Sequence, residues 1–409
     1  MTNIPLQPET LRRLDDGPLA PHIGTFEAWL SDQNYSRYTA GDKLRQVADL
    51  NHWLRRRDFG LAKINEQRLI QFCQSRYGKN TGHGVESTMR ALLVQLRHAD
   101  AIPPAAVSSD NPLLRIERGF GEYLVQTCGL SWKTLKRYLP PVKLFLAWRF
   151  GKKDIRPQNL RPSDTTRFIL RHARPASPNY AKGLTKGLSS FFRYLRFAGK
   201  TTRDMAASVP AVANWRLSAL PETLSSGDVQ RLLKDCDQNS PVGRRNYAIL
   251  LLLCRLGLRA GEVAALTLDD IDWEAGELVI RGKGGRTDRL PLPSDVGEAM
   301  VSYLRRVRPQ CHTRRFFVRV KAPYEGFRSY ANVSEIVCRA LARSGLSPSQ
   351  RGAHILRHSL ATQMLRKGAS LTEIGQIFRH RNLFSSQIYA KVDLTALRPL
   401  GQPWPRISL

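Results

Sequence analysis

Acidic residues are scarce in this 409-residue chain: thirty-four Asp and Glu stand against sixty-four Lys and Arg, a formal net charge of +30. The carboxylates do not present the clustered ligand set of a two-metal nuclease. Long apolar runs are also missing. The longest, YAILLLLCRLGL at 247–258, is interrupted by Arg255 and too short to span a bilayer. The opening residues MTNIPLQPET lack the basic-then-apolar pattern of an export signal, so no membrane partner is expected. Six cysteines (Cys73, Cys128, Cys236, Cys254, Cys311 and Cys338) form no CxxC pair, which argues against a zinc ribbon or a disulfide framework. They are expected to be buried thiols of a cytoplasmic protein.

Positive charge is what the chain has in excess. With a pI near 10.5, it would repel itself in the compact state unless a polyanion met it. Double-stranded DNA, carrying a charge about every 1.7 Å of axis, is the expected partner, although composition alone does not separate DNA from RNA.

Two stretches of the first half resemble each other, one starting at Phe26 and one at Phe120. With one inserted residue, Leu30 matches Leu124, Ser36 matches Ser131 and Thr39 matches Thr134; Leu44, Val47 and Trp53 then match Leu139, Val142 and Trp148. Apolar positions recur at spacings of three and four, which predicts amphipathic helices with Ser36 and Ser131 at their starts. Proline- and serine-rich segments at 101–112 and 208–228 predict boundaries, giving modules 1–105, 106–216 and 217–409. In the third, LSSGDVQRLLKDC opens a helix with serine at its cap. GELVIRGKGGRTDRLPLP alternates around a glycine turn, as a β-hairpin does. Helical spacing then returns, with Gly345 and Gly368 as stops. The fold class expected is mainly α, with helical N-terminal modules followed by a mixed α/β domain that is mostly helix with a small antiparallel sheet.

The stretch HILRHSLATQML (354–365) sets His354, Arg357 and His358 on one helix. His354 and His358 have zinc-pair spacing, but Ile355 stands where a metalloprotease carries its glutamate, and Arg357 would repel a dication. No metal and no cofactor is expected. His354 and Arg357 share a face and suit an anionic oxygen, the arginine as a two-pronged clamp and the histidine as a proton carrier. His358 reads most simply as a packed histidine without further role.

Four further pieces extend this motif. GLRAGEVAAL (257–266) places Arg259 at the end of a buried helix, with Glu262 one turn on as its candidate partner. Lys283 sits in the turn of the hairpin. IFRHRNLFSSQIYAKV (377–392) holds His380 and Tyr389. Together, over residues 217–393, these pieces resemble the tyrosine recombinase (phage integrase) family, whose motifs read approximately TGLRxxEL, GKG on a hairpin, HxLRHxxAT and LGHxxxxxTQxY. One difference stands out: Phe378-Arg379 replaces the Leu-Gly before the second histidine.

The resemblance implies a site-specific DNA recombinase that forms a 3′-phosphotyrosine without metal or ATP. Tyr389 would be the nucleophile, and Arg259 and Arg357 would hold the non-bridging oxygens. His354 and Lys283 would move protons, and His380 would bond the phosphate. It also implies a helical N-terminal DNA-binding (SAM-like) module at 1–105, a core-binding module at 106–216, a catalytic domain at 217–409, and a homotetramer on DNA serving a mobile element. The alternatives are a type IB topoisomerase and an inactive DNA-binding protein. The chemistry is coherent on its own terms. A phenol with pKa about 10 is ionised only ~0.1% at pH 7, roughly 4 kcal/mol from its reactive form. Attack on an anionic diester therefore needs positive charge nearby and an acid for the departing alkoxide.

Overall fold

The computed structural model describes residues 4–78, 83–104, 112–151, 153–173, 177–212, 221–282, 287–380, 382 and 385–391. Lys283 with the rest of its turn, the linker centres 105–111 and 213–220, and the tail 397–409 lie outside the described residues. The chain divides into two compact units, one made of Met1–Pro103 with Ala219–Leu409 and the other of Pro104–Ser218.

The first stretch folds as α1 (Pro8–Asp15), α2 (Ile23–Asp32), α3 (Arg37–Arg56), α4 (Glu66–Tyr77) and α5 (His83–His98). Ser36 caps α3 as expected, its hydroxyl accepting from the Thr39 N–H at 3.2 Å. Phe26, Leu44, Val47 and Phe72 fill the core. Asn51 is fully buried and satisfied: it accepts from the Leu19 N–H and donates to the Arg13 and Leu14 carbonyls. That pins the turn between α1 and α2 to α3.

The middle unit contains α6 (Pro112–Glu122), a π-helical turn at Tyr123–Thr127, α7 (Trp132–Phe150), α8 (Pro162–Ala173) and α9 (Pro178–Phe197). Ser131 stands at the start of α7, but its hydroxyl meets Thr134 Oγ1 at 3.2 Å rather than a backbone N–H. The core is aromatic, with Phe120 edge-on to Phe191 at 5.3 Å and Phe145 edge-on to Phe192 at 5.5 Å. Pro140 and Pro141 remain inside α7. There Gly187 of α9 lets the helices meet, since a Cβ on it would lie 3.3 Å from the Tyr138 carbonyl oxygen.

The last stretch carries the candidate site. Its helices are α10 (Ser226–Lys234), capped by Ser225, α11 (Pro241–Leu256) and the short α12 (Ala260–Ala265). Residues 248–253 of α11 are buried all round, so this helix forms the middle of the core. Strands β1 (Ile271–Asp272), β2 (Glu277–Arg281) and β3 (Thr287–Pro291) form one antiparallel sheet in that order, with Val279 opposite Arg289 and Arg281 opposite Thr287. Leu278 and Ile280 face the core. Asp270 and Asp269 are not free carboxylates: the first pairs with Arg281 at 2.8 Å and the second with Arg314.

Helices α13 (Ser294–Arg306), α14 (Tyr330–Arg343), α15 (Ala353–Arg366), α16 (Leu371–Ile377) and α17 (Gln387–Ala390) complete the chain. Gly345 (φ 67°) and Gly368 (φ 93°) lie just past α14 and α15 in the left-handed region, as the sequence predicts. Ser359 fixes α15 in place by accepting from the Leu224 N–H at 2.8 Å. The fold is thus mainly helical with a small antiparallel sheet. The expectation of six buried thiols is corrected: Cys73, Cys236 and Cys254 are buried, Cys311 and Cys338 are half-buried, and Cys128 is exposed on the turn before α7. No helix among the described residues is long and apolar enough to cross a membrane.

Candidate active site

Helix α11 stops at Gly257, which adopts φ 56°. A Cβ here would be strained by that φ and would sit 2.6 Å from the Phe378 ring, so both backbone and space select glycine. The chain then turns into α12, with Arg259 at its N-cap position. Arg259 thus follows the buried helix α11 just after its Gly257 cap, as expected, and also opens α12. Glu262 holds it from within the first turn of α12. One carboxylate oxygen accepts the Arg259 N–H at 2.8 Å, and the other pairs with its Nη1 at 2.7 Å. The Arg259 side chain remains 40% exposed while that of Glu262 is 6% exposed.

Arg357 comes from the middle of α15 and is buried. It donates to the Gly257 carbonyl and, at 2.6 Å, to the Phe378 carbonyl, and its guanidinium lies 4.2 Å from the Phe378 ring centroid. Of a guanidinium's five N–H donors these bonds use two, so Arg357 ties the two neighbouring motifs together with donors to spare. His354, one turn earlier on α15, is exposed.

Tyr389 lies on α17 and is only 2% exposed, packed with Phe378, Ala361 and Ile374. Its hydroxyl meets His358 Nδ1 at 3.0 Å. His380 Nδ1 meets Ser386 Oγ at 2.8 Å. Gly375 permits this close fold, because a Cβ on it would lie 3.0 Å from the same Ser386 oxygen.

Burial governs the titration of these groups. It pushes the Tyr389 phenol up to about 12, with Arg357 and Arg259 pulling it partly back. Burial, with the nearby His354 and Arg357, depresses His358 to about 4. His380 falls to about 4 through burial and the positive charges of Arg357, Arg259 and Arg379. His354, exposed as a residue, is still lowered by partial desolvation of its ring and then by Arg357 and Arg259. Arg357 drops to about 10, from burial and then Arg259, and stays charged at neutral pH. Burial alone would raise Glu262, but the Arg259 N–H and the Arg379 and Arg259 guanidinia outweigh it and keep the group a carboxylate. At pH 7 the tyrosine is therefore protonated and its histidine neutral, and in the tautomer with its proton on Nε2 the imidazole accepts the phenol O–H at Nδ1.

Five of the six expected side chains lie near one another, and Lys283 lies outside the described residues. Three others were not given these roles from sequence. His358 was expected only to pack; it is instead the hydrogen-bond partner of Tyr389. Ser386 engages His380. Arg379 pairs with Glu262 Oε2 at 2.8 Å. The spacing of His358 from His354 was visible, but a histidine four residues on from another fits packing equally well.

Residues 222–395 match the model of the phage integrase family. A Sinorhizobium fredii (strain NGR234) protein named "Putative integrase/recombinase y4rA" is 42% identical over 397 residues, covering 97% of both chains. Tyrosine recombinase XerD of Listeria monocytogenes is 27% identical over 284 residues, covering 68% of this chain and 94% of XerD. Among solved structures, the XerH site-specific recombinase in its pre-cleavage complex with difH matches with a TM-score of 0.52 at 18% identity, covering 83% of this chain and 94% of that one. That last likeness concerns the fold. Full-length identity to the integrase/recombinase, together with the family match over the segment that carries the site, leads to one conclusion: the chain belongs to the phage integrase family of tyrosine recombinases, enzymes that cut and rejoin DNA.

Proposed function

We propose that the protein is a site-specific recombinase that works through a 3′-phosphotyrosine at Tyr389. The observation that carries this is the Tyr389 hydroxyl, bonded to a neutral imidazole and under the electrostatic influence of both Arg259 and Arg357. The Tyr389 oxygen attacks phosphorus, the bond to the 5′-oxygen breaks, and a 5′-hydroxyl leaves with a proton from Lys283. Rejoining is the reverse, so the bond energy is conserved and no nucleotide is consumed. Arg259 and Arg357 neutralise the non-bridging oxygens. With the Ser386 hydroxyl donating to His380 Nδ1, that ring carries its proton on Nε2, free to donate to the phosphate. His354, exposed at the start of α15, is the second proton carrier.

The free protein holds its nucleophile in a resting form. Moving a proton from a phenol near 12 to an imidazole near 4 is uphill on the order of 10 kcal/mol. A phosphate anion beside His358 and the arginines, and withdrawal of Tyr389 from its apolar surroundings, both shrink that gap. DNA binding is therefore what arms the site. We also propose the three-module division at 1–105, 106–216 and 217–409, with each module contributing to DNA binding. A homotetramer on two duplexes and service to a mobile element in the cytoplasm complete the reading; the name of the Sinorhizobium relative supports integration as the task.

The test uses nicked duplexes of randomised sequence, with denaturing gels to detect protein–DNA adducts. Wild type is expected to form them, and Tyr389→Phe to bind the same DNA with no adduct. Adducts persisting in Tyr389→Phe would refute the assignment. Relaxation of supercoiled plasmid by a monomer without site preference would favour the topoisomerase instead.

A further inference from the structure

We infer that Arg379 is a positioning residue for Arg259, acting through Glu262 to keep the Arg259 charge available to an anion; this rests on the reading that Arg259 grips the scissile phosphate. The backbone supplies the first reason. At the end of α16 the His380 N–H bonds the Gly375 carbonyl at 2.8 Å and the Arg379 N–H bonds the Gln376 carbonyl at 2.9 Å. This pair of bonds closes a helix with one left-handed residue, usually glycine. That residue here is Arg379, with φ 55°, a conformation disfavoured for any L side chain. A locally unfavourable residue in a site points to a task for its side chain.

The side chain turns inward and is 7% exposed. Its Nη2 lies 2.8 Å from Glu262 Oε2, its Nη1 donates to the Ile377 carbonyl at 3.3 Å, and its Nε is buried 4.0 Å from Asp288 Oδ2. It thereby joins α12, strand β3 and the turn that leads into His380.

The charges then decide what this linkage does. Glu262 and Arg259 alone sum to zero, so an approaching phosphate would meet a carboxylate directly behind its arginine. Arg379 brings the trio to +1; Asp288, 4.0 Å from its Nε, is 42% exposed and its charge is screened by solvent. Inside a protein such a charge is much less screened than at the surface. The division of labour follows exposure: Arg259, 40% exposed, faces the incoming ligand, while Arg379 backs the carboxylate. Glycine here would relax the backbone and leave Glu262 to cancel Arg259.

Single-turnover adduct formation on the nicked randomised duplexes, at saturating DNA, tests this. Arg379→Gly is expected to be at least fivefold slower than wild type with its DNA Kd changed less than threefold. Arg379→Lys, which restores the charge, should recover most of that loss. Glu262→Gln placed in the Arg379→Gly background should also recover it, because the carboxylate in need of compensation is gone while an acceptor for Arg259 remains. A merely structural ion pair would show its loss and its rescue in Tm, whereas a positioning role moves the adduct rate at a temperature where every variant is fully folded. A loss below fivefold, no recovery by lysine, or no recovery in the double variant each overturns the inference. Failure of the underlying reading shows separately, as wild-type adducts that survive Tyr389→Phe.

Discussion

Arg259 keeps 40% of its side chain in solvent beside a carboxylate at 2.7 Å, whereas Tyr389 is 2% exposed with its hydroxyl on an imidazole. Both belong to one site, yet they are prepared differently. The cationic half is built in advance, because Arg357 is locked onto two carbonyls and Arg259 is oriented by Glu262. The half with the proposed nucleophile is held back by the same low dielectric: burial keeps the phenol protonated and the histidines neutral. An enzyme that breaks DNA strands gains from this asymmetry, since recognition can precede reactivity.

The two arginines should separate when each is removed. Loss of one charge-stabilising group from a reaction centre typically costs 10²–10³ in rate. Arg357→Ala is expected to reduce adduct formation by about that much and to lower Tm, since two buried carbonyls lose their donor at roughly 1–3 kcal/mol each. Arg259→Ala should lose a similar factor in rate with little change in Tm, because Glu262 retains Arg379. Equal thermal effects of the two variants would erase the distinction between a buried clamp and an exposed one.

On the side of the proposed nucleophile, His358→Ala removes the hydrogen-bond partner of the Tyr389 hydroxyl. Proton-transfer groups contribute about 10²–10⁴ in rate; a loss near the lower end is expected, with DNA affinity unchanged in a gel-shift titration. Unchanged adduct formation would return His358 to a packing role.

The remaining effect, smallest at neutral pH and growing on acidification, is on stability. His358 and His380 titrate near 4 when folded and near 6.5 when unfolded. The unfolded chain therefore binds more protons between these values, and stability rises with pH across that window. From these two residues Tm should be level above pH 6.5 and fall as pH drops towards 4. Replacing both with Gln should flatten that fall, as melting curves from pH 4 to 8 would show.

Much of the fold was legible because period and punctuation agree: Ser36, Ser225, Gly345 and Gly368 mark helix ends by local chemistry alone. The order of motifs made the polar site residues legible as a resemblance. What sequence could not give depends on contacts across long separations. The bond between His358 and Tyr389 spans 31 residues, and the one between Arg379 and Glu262 spans 117. Phe378-Arg379 read as a departure from the family pattern, but periodicity does not reveal that an arginine can occupy a left-handed turn when its side chain is paired inside. Ser131 shows the converse: a correct position with a different bond, to the Thr134 hydroxyl.

The decisive measurement is mass spectrometry of the DNA-linked peptide recovered after proteolysis of a trapped adduct. A 3′-phosphate esterified to Tyr389 is the expected finding. Linkage to another residue, or through a 5′-phosphate, would contradict the assignment of Tyr389 as the nucleophile that Arg259 and Arg357 serve.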